Sequence, residues 1–350
     1  MFNPTAFRNL VSGQRRGIWA TVLRGGLRSC EVGYTAAVRW RNRRYDRHTA
    51  LVHRVGVPVV SVGNLTLGGT GKTPMVRWLV QWFHDRGLRA AVVSRGYGAN
   101  AGEANDEALE LSRSLPKTPH VQNPDRVAAA QEAIAAWGGQ LIVLDDGFQH
   151  RRIARDLDIV LLDALEPFGF GHVFPRGTLR EPVEGLRRAD VVVLSRADLL
   201  GTAGREDFWR TVRLHAPAAT CVEAVHAPRM LISAGGKQMP LEAVRGQAAA
   251  AFCGLGNPAG FRHTLDGLGC RVAGFREFPD HRRYTAAEVG SLAAWADTLD
   301  VSAVLCTCKD LAKFSTDDLG GRPLWAINVE MDFLNGQELL EARLRSLLSS

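Results

Sequence analysis

From residue 57 onward, short unbroken apolar runs alternate with stretches of helical periodicity. The runs Val57–Val62, Ala90–Ser94, Leu141–Asp145, Asp158–Asp163 and Val191–Ser195 are rich in Val, Ile and Leu, and predict strands. The segments Pro74–Asp85, Asp106–Leu115 and Asp125–Trp137 between them predict helices. Near-continuous apolar strands separated by helices predict a mostly parallel sheet covered by helices on both faces. The composition changes near His226–Gln238, which reads as a linker, and the alternation then resumes. It continues with strands Ala249–Gly254, Val272–Phe275 and Val301–Thr307 and helices Pro258–Leu268 and Ala286–Leu299. The expected organisation is an N-terminal segment over 1–54, an α/β domain over 55–229, and a smaller α/β domain over 230–350 that completes the cleft of the first. No internal repeat or low-complexity tract interrupts the pattern.

The first 54 residues read differently. They hold eleven arginines against Glu31 and Asp46, so the formal charge of +7 belongs to this segment and the body is slightly acidic. Large apolar residues accompany the arginines, and Ile18/Val22 and Trp19/Leu23 are i,i+4 pairs that share a helical face. Such a segment suits an anionic membrane surface, a basic helix packed on the protein's own core, or phosphate contacts to nucleic acid. Gly17, Gly25, Gly26 and Gly33 argue against one long helix. Hydrophobic residues at 46% and charged residues at 23% exclude a disordered or fibrous chain. No uncharged apolar run approaches the roughly 20 residues of a membrane-spanning helix, and a signal-peptide core is not evident. Six scattered cysteines without CxxC spacing fit a reduced, cytosolic protein better than a disulfide framework or zinc site.

The chemistry begins at Val57-Pro-Val-Val-Ser-Val-Gly-Asn-Leu-Thr-Leu-Gly-Gly-Thr-Gly-Lys-Thr73, a strand entering a Gly-rich turn that opens a helix. Gly68, Gly69, Thr70 and Gly71 would let backbone amides converge on phosphate oxygens, aided by the helix dipole. Lys72 would reach the β- and γ-phosphates and the Thr73 hydroxyl would ligate Mg²⁺. Thr66 stands where the usual phosphate-loop pattern begins with glycine. On a second strand, Leu141-Ile-Val-Leu-Asp145-Asp146 ends in two carboxylates where ligands bind in open α/β sheets, and these can hold Mg²⁺ directly or through its waters. A P-loop phosphoryl transferase or hydrolase using a Mg-nucleotide follows. The acceptor does not.

Further motifs recur in order: Ser61-Val-Gly-Asn-Leu-Thr-Leu-Gly-Gly-Thr-Gly-Lys-Thr-Pro74, Val93-Ser-Arg-Gly-Tyr97, Asn105-Asp-Glu107, Asp145-Asp-Gly-Phe-Gln-His150, Leu179-Arg-Glu-Pro182, Ala251-Phe-Cys-Gly-Leu-Gly-Asn-Pro258 and Phe278-Pro-Asp-His281 with Tyr284. Together they resemble the tetraacyldisaccharide 4′-kinase family of lipid A biosynthesis, from the arginine-rich start to about Phe314. The resemblance implies transfer of the γ-phosphoryl group of ATP to the 4′-hydroxyl of an acylated glucosamine disaccharide 1-phosphate. It also implies a peripheral protein on the cytoplasmic face of the inner membrane; no nucleic acid is expected as a partner, and no obligate protein partner is evident from the sequence. Residues 1–54 would then dock the chain at that surface.

By the same resemblance, Asp106 and His281 match the family's catalytic pair. A sugar hydroxyl loses its proton as the new P–O bond forms, and a carboxylate hydrogen-bonded to an imidazole can accept it. Arg126, His150, Glu181 and Tyr97 match positions expected to border the nucleotide or acceptor. Asn105 replaces a glycine, Arg176 and Thr178 stand where small residues and proline are usual, and Cys308 stands where glutamate is common before Lys309-Asp310. Two rivals remain in view. A regulatory GTPase or metallochaperone is one, because Ser195-Arg-Ala-Asp198 weakly resembles a guanine-reading loop; a nucleic-acid binder using residues 1–54 is the other.

Overall fold

The computed structural model describes residues 4–96, 106–280 and 282–348. Its helices are α1 (Pro4–Val11), α2 (Ile18–Arg47), α3 (Lys72–His84), α4 (Asp106–Ser114), α5 (Arg126–Trp137), α6 (Thr202–His215), α7 (Pro258–Gly267), α8 (Ala286–Asp297), α9 (Cys308–Leu311) and α10 (Gln337–Ser346). The strands are β1 (Val59–Asn64), β2 (Ala90–Ser94), β3 (His120–Gln122), β4 (Leu141–Asp145), β5 (Leu157–Asp163), β6 (Val191–Ser195), β7 (Thr220–Ile232), β8 (Gln238–Met239), β9 (Ala248–Cys253), β10 (Arg271–Glu277), β11 (Ala303–Thr307), β12 (Asp318–Leu319) and β13 (Arg322–Asn335).

The chain forms two compact units: Met1–Arg95, Lys117–Val225 and Asp332–Ser350 make the first, Gly96–Pro116 and His226–Met331 the second. These units are not contiguous in sequence, unlike the division expected above. The stretch read as a linker near 226–238 is instead the second half of β7 and the antiparallel β7–β8 pair, Leu231 facing Met239. Pro228 and the charged residues of β7 hid an alternating strand.

In the first unit the strand order is β7-β6-β5-β1-β4-β2-β3, and every pairing in it is parallel. Parallel strands bring all their C-terminal ends to one edge. The order reverses at β1, so the loop after β1 lies at the switch point where α/β sheets bind ligands. Val160 and Leu162 of β5 pack with Phe208, Trp209 and Val212 of α6, while Ile142 and Leu144 of β4 pack with Val127, Ala129 and Ala133 of α5. In the second unit the order is β10-β9-β11-β13, again parallel, with Phe252, Leu292, Val304 and Phe314 in its core.

Against the expectation from its glycines, α2 is one unbroken helix of 30 residues. Gly25, Gly26 and Gly33 each cost about 1 kcal/mol of helix propensity relative to alanine. Tertiary contacts hold the helix anyway. Glu31 accepts from Val173 N at 2.9 Å, the Tyr34 hydroxyl donates to Arg180 O at 3.1 Å, Asn42 Nδ2 donates to Glu181 at 3.0 Å, and Asp46 pairs with Arg151 and Arg187.

Candidate active site

The phosphate loop is shaped from its own polar side chains. Asn64, buried at the end of β1, donates to Thr66 O at 2.8 Å and to Gly68 O at 3.4 Å. Gly68 and Gly71 adopt φ of 118° and 87°, conformations that favour glycine, and Gly71 leads directly into α3. Ser195 Oγ, from the end of β6, donates to Thr70 O at 2.8 Å and braces the loop from the neighbouring strands. Arg196 pairs with Asp163 at the end of β5. Ser195 and Arg196 are thus engaged in bracing the loop and the end of β5.

The carboxylates follow from β4. Asp145 is its last residue, 2% exposed, in register with Val62 of β1. Asp146 takes a left-handed conformation with φ of 57°, and both its oxygens accept from Arg180 at 2.9 and 2.8 Å. Lys72 Nζ stands 3.4 Å from Asp146 Oδ1 and 3.5 Å from Asn64 Oδ1. Burial works to raise the Asp146 pKa, but Lys72 and Arg180 outweigh it and hold the carboxyl well below the usual range. Asp146 is therefore an anion shared by two cations.

Arg126 opens α5, whose N-cap Asp125 accepts from Val127 N and Ala128 N. Its guanidinium is buried and feels the charges of Asp146 and Asp145. Burial, then the charges of Arg126 and Arg155, lower the His150 pKa to about 4, so its imidazole is neutral at ordinary pH. Thr70 Oγ1, Arg126 Nε and His150 Nε2 are buried without hydrogen-bond partners among the described residues. Buried polar atoms left in this state are what a bound polar ligand would satisfy.

Glu181, expected to border the nucleotide or acceptor, is held by protein partners among the described residues. It is fully buried and accepts from Arg188 at 2.9 and 3.0 Å, from Gln149 at 3.1 Å and from Asn42 at 3.0 Å. These bonds join α2, the 145–150 turn and the 181–188 segment, so the geometry gives Glu181 a connecting role. Its neighbour Arg180 is the residue that reaches Asp146. Sequence reasoning gave Arg180, Asn64 and Ser195 no such roles, although all three lie inside quoted motifs; Ser195 stood there as the start of a weak guanine-loop resemblance. Tyr97 and His281 lie outside the described residues, and Asp106 is described only as the first residue of α4.

Comparison with known proteins bears on this geometry. A family model described as tetraacyldisaccharide-1-P 4′-kinase matches residues 24–349. A protein named tetraacyldisaccharide 4′-kinase from Anaeromyxobacter sp. (strain K) is 40% identical over 339 residues, covering 91% of this chain and 89% of that protein. One of the same name from Syntrophus aciditrophicus is 36% identical, covering 85% and 86%. A crystal structure of LpxK from Aquifex aeolicus in complex with ATP is 28% identical, with a TM-score of 0.73, over 93% of this chain and 99% of that one.

Proposed function

The chain belongs to the tetraacyldisaccharide-1-P 4′-kinase family and is an ATP-dependent kinase of lipid A biosynthesis, phosphorylating the 4′-hydroxyl of a tetraacyldisaccharide 1-phosphate; we propose how its own residues carry that transfer. The observation that carries this reading is the cluster of Lys72, Asp146, Arg180 and Asn64 at the phosphate loop, one residue beyond the Asp145 carboxylate. Backbone amides of Gly68–Thr73 and the Lys72 ammonium hold the β- and γ-phosphates. Arg126 offsets phosphate charge from the start of α5, and neutral His150 offers a hydrogen bond to either substrate.

The residues fit Mg²⁺. A hard cation of this size takes oxygen donors, and the Thr73 hydroxyl and the buried Asp145 carboxylate would supply them. Asp146, bound by Lys72 and Arg180, would act through these cations. When present, the ion neutralises phosphate oxygens as charge shifts to the leaving group.

Asp106, paired with His281, accepts the proton of the 4′-hydroxyl. The sugar oxygen forms its bond to the γ-phosphorus, the bond to the β,γ-bridging oxygen breaks, and ADP leaves with that electron pair. The test uses γ-labelled ATP, Mg²⁺ and the tetraacylated disaccharide 1-phosphate in detergent. Wild type is expected to label the lipid, and Asp106→Ala to do so about a hundredfold more slowly with ATP binding intact. Equal rates would remove Asp106 as the base, and label released only as phosphate would favour a hydrolase.

Residues 1–54 would dock the chain on the cytoplasmic face of the inner membrane, where the acceptor's acyl chains reside. No helix of the described residues is long and apolar enough to cross a membrane. On α2, Ile18 and Trp19 are 83% and 80% exposed and Trp40 is 67% exposed, among arginines. That pattern supports an interfacial helix. The full chain is expected to cosediment with vesicles containing phosphatidylglycerol and to bind neutral phosphatidylcholine vesicles more weakly. Ile18→Ser with Trp19→Ser should weaken binding by about tenfold or more, from the lost apolar burial. Unchanged binding by that double variant would sink the assignment to α2.

A further inference from the structure

Between β10 and α8 the chain runs through Phe278-Pro-Asp-His-Arg-Arg-Tyr284, and residues on both sides of His281 are bound from one short element of the same unit. Lys309 Nζ meets Asp280 Oδ1 at 2.6 Å. The next residue, Asp310, is fully buried, and its Oδ1 accepts from the Tyr284 hydroxyl at 2.9 Å. Its Oδ2 accepts from Gly254 N at 3.0 Å and Thr307 Oγ1 at 2.7 Å, and Lys313 Nζ lies 3.6 Å from Oδ1.

Burying a carboxylate is costly unless its lone pairs are used and its charge is offset. Here those partners come from the end of β9, the start of α9 and the end of the 278–284 segment. The segment is also pinned at its beginning. Phe278 N donates to Cys253 O at 2.9 Å, and the Phe278 and Tyr284 rings, 5.1 Å apart, both lie against Phe252. The space is full: a Cβ added at Gly254 would meet Asp310 Oδ1 at 2.9 Å, and Pro279 O and the Tyr284 hydroxyl at 3.3 Å. Burial, with the Asp310 charge beside it, pushes the Tyr284 phenol upward, so it remains a donor across the working pH range.

From this geometry we propose that Lys309 and Asp310 are positioning residues for His281, clamping Asp280 directly before it and Tyr284 shortly after it. The proposal rests on the reading of His281 as the partner of Asp106. The pair acts on the reaction by fixing the backbone that presents the imidazole, because proton transfer is steep in distance and a displacement near 1 Å costs about a hundredfold. A buried carboxylate with both oxygens hydrogen-bonded selects one loop conformation over its alternatives. Lys309-Asp310 thereby gains a function that holds whichever residue occupies position 308.

A mutant cycle tests this. Lys309→Met and Tyr284→Phe are each measured alone and combined with His281→Ala, using γ-labelled ATP and the lipid acceptor. Each single variant is expected to lower kcat by about tenfold while leaving KM for ATP unchanged, and Lys309→Arg should recover most of the loss. Once His281 is alanine, neither substitution should lower kcat further, because both act through it. A full additional loss in the His281→Ala background would overturn the proposal. So would wild-type rates for both singles alongside an impaired His281→Ala. An unimpaired His281→Ala would overturn the underlying reading of the dyad, and the positioning role with it. Tyr284→Phe removes a single oxygen and carries the same cycle if Lys309→Met does not fold.

Discussion

Lys72→Met is expected to lower kcat by about a thousandfold while leaving the protein folded. Methionine keeps most of the aliphatic stem and removes the charge, so the packing at the start of α3 is retained. The ammonium stands 3.4 Å from Asp146 and 3.5 Å from Asn64, at the N-terminal end of α3, where the dipole also favours anions. Phosphoryl transfer spreads charge over the γ-phosphate oxygens, and catalysis is chiefly positioning and stabilisation of that charge. Asp146 would keep both hydrogen bonds from Arg180, so no uncompensated buried anion results. The fold should therefore survive where catalysis does not. Lys72→Arg should also fail, because a planar guanidinium replaces a compact point charge in a loop closed by Ser195 and Asn64. Steady-state rates with labelled ATP, beside thermal unfolding, separate these effects. A kcat within about tenfold of wild type for Lys72→Met would remove this lysine from transition-state stabilisation.

What could be read from sequence divides along physical lines. β2, β4 and β6 lie where their apolar runs placed them, because strands buried on both faces of a parallel sheet carry unbroken Val, Ile and Leu. β7 and β13 escaped because they are half-exposed and carry Arg, Glu, His and Pro among their apolar positions. α2 was expected to break because propensity is local, whereas Glu31, Tyr34, Asn42 and Asp46 hold the helix through residues more than a hundred positions away. The phosphate loop was legible because its glycines and Lys72 are contiguous. Arg180 was not, because its bond to Asp146 exists only after β4 and the 179–182 segment meet. The departures at Arg176 and Thr178 also become intelligible: Arg176 donates to Val11 O at 3.1 Å, and Thr178 bonds Glu166, which in turn pairs with Arg8. Both residues tie α1 to the body.

Gly63→Ala should damage stability and catalysis together. A Cβ at this position would lie 2.5 Å from Phe148 Cβ and 2.8 Å from Phe148 N, closer than any real contact. β1 cannot yield, since Val62 is paired with Asp145 of β4 and Gly63 with Val160 of β5. Phe148 must move instead, and it is fully buried with the Arg188 guanidinium 4.4 Å from its ring centroid. Its displacement would strain the bond from Gly147 N to Val62 O and those from Gln149 to Asn64 O and Glu181. Overpacking of this kind costs about 3 kcal/mol. The same turn carries Asp145 and Asp146, so kcat should fall by about a hundredfold even in the folded fraction, as a shift near 1 Å does. Phe148→Leu keeps both the Cβ and the backbone N–H, so it should not rescue Gly63→Ala if the clash is with these atoms. Rescue would instead mean that the ring is what crowds the site. A Gly63→Ala enzyme with wild-type kcat and unfolding temperature would show that β1 and the 145–150 turn need no glycine to approach each other.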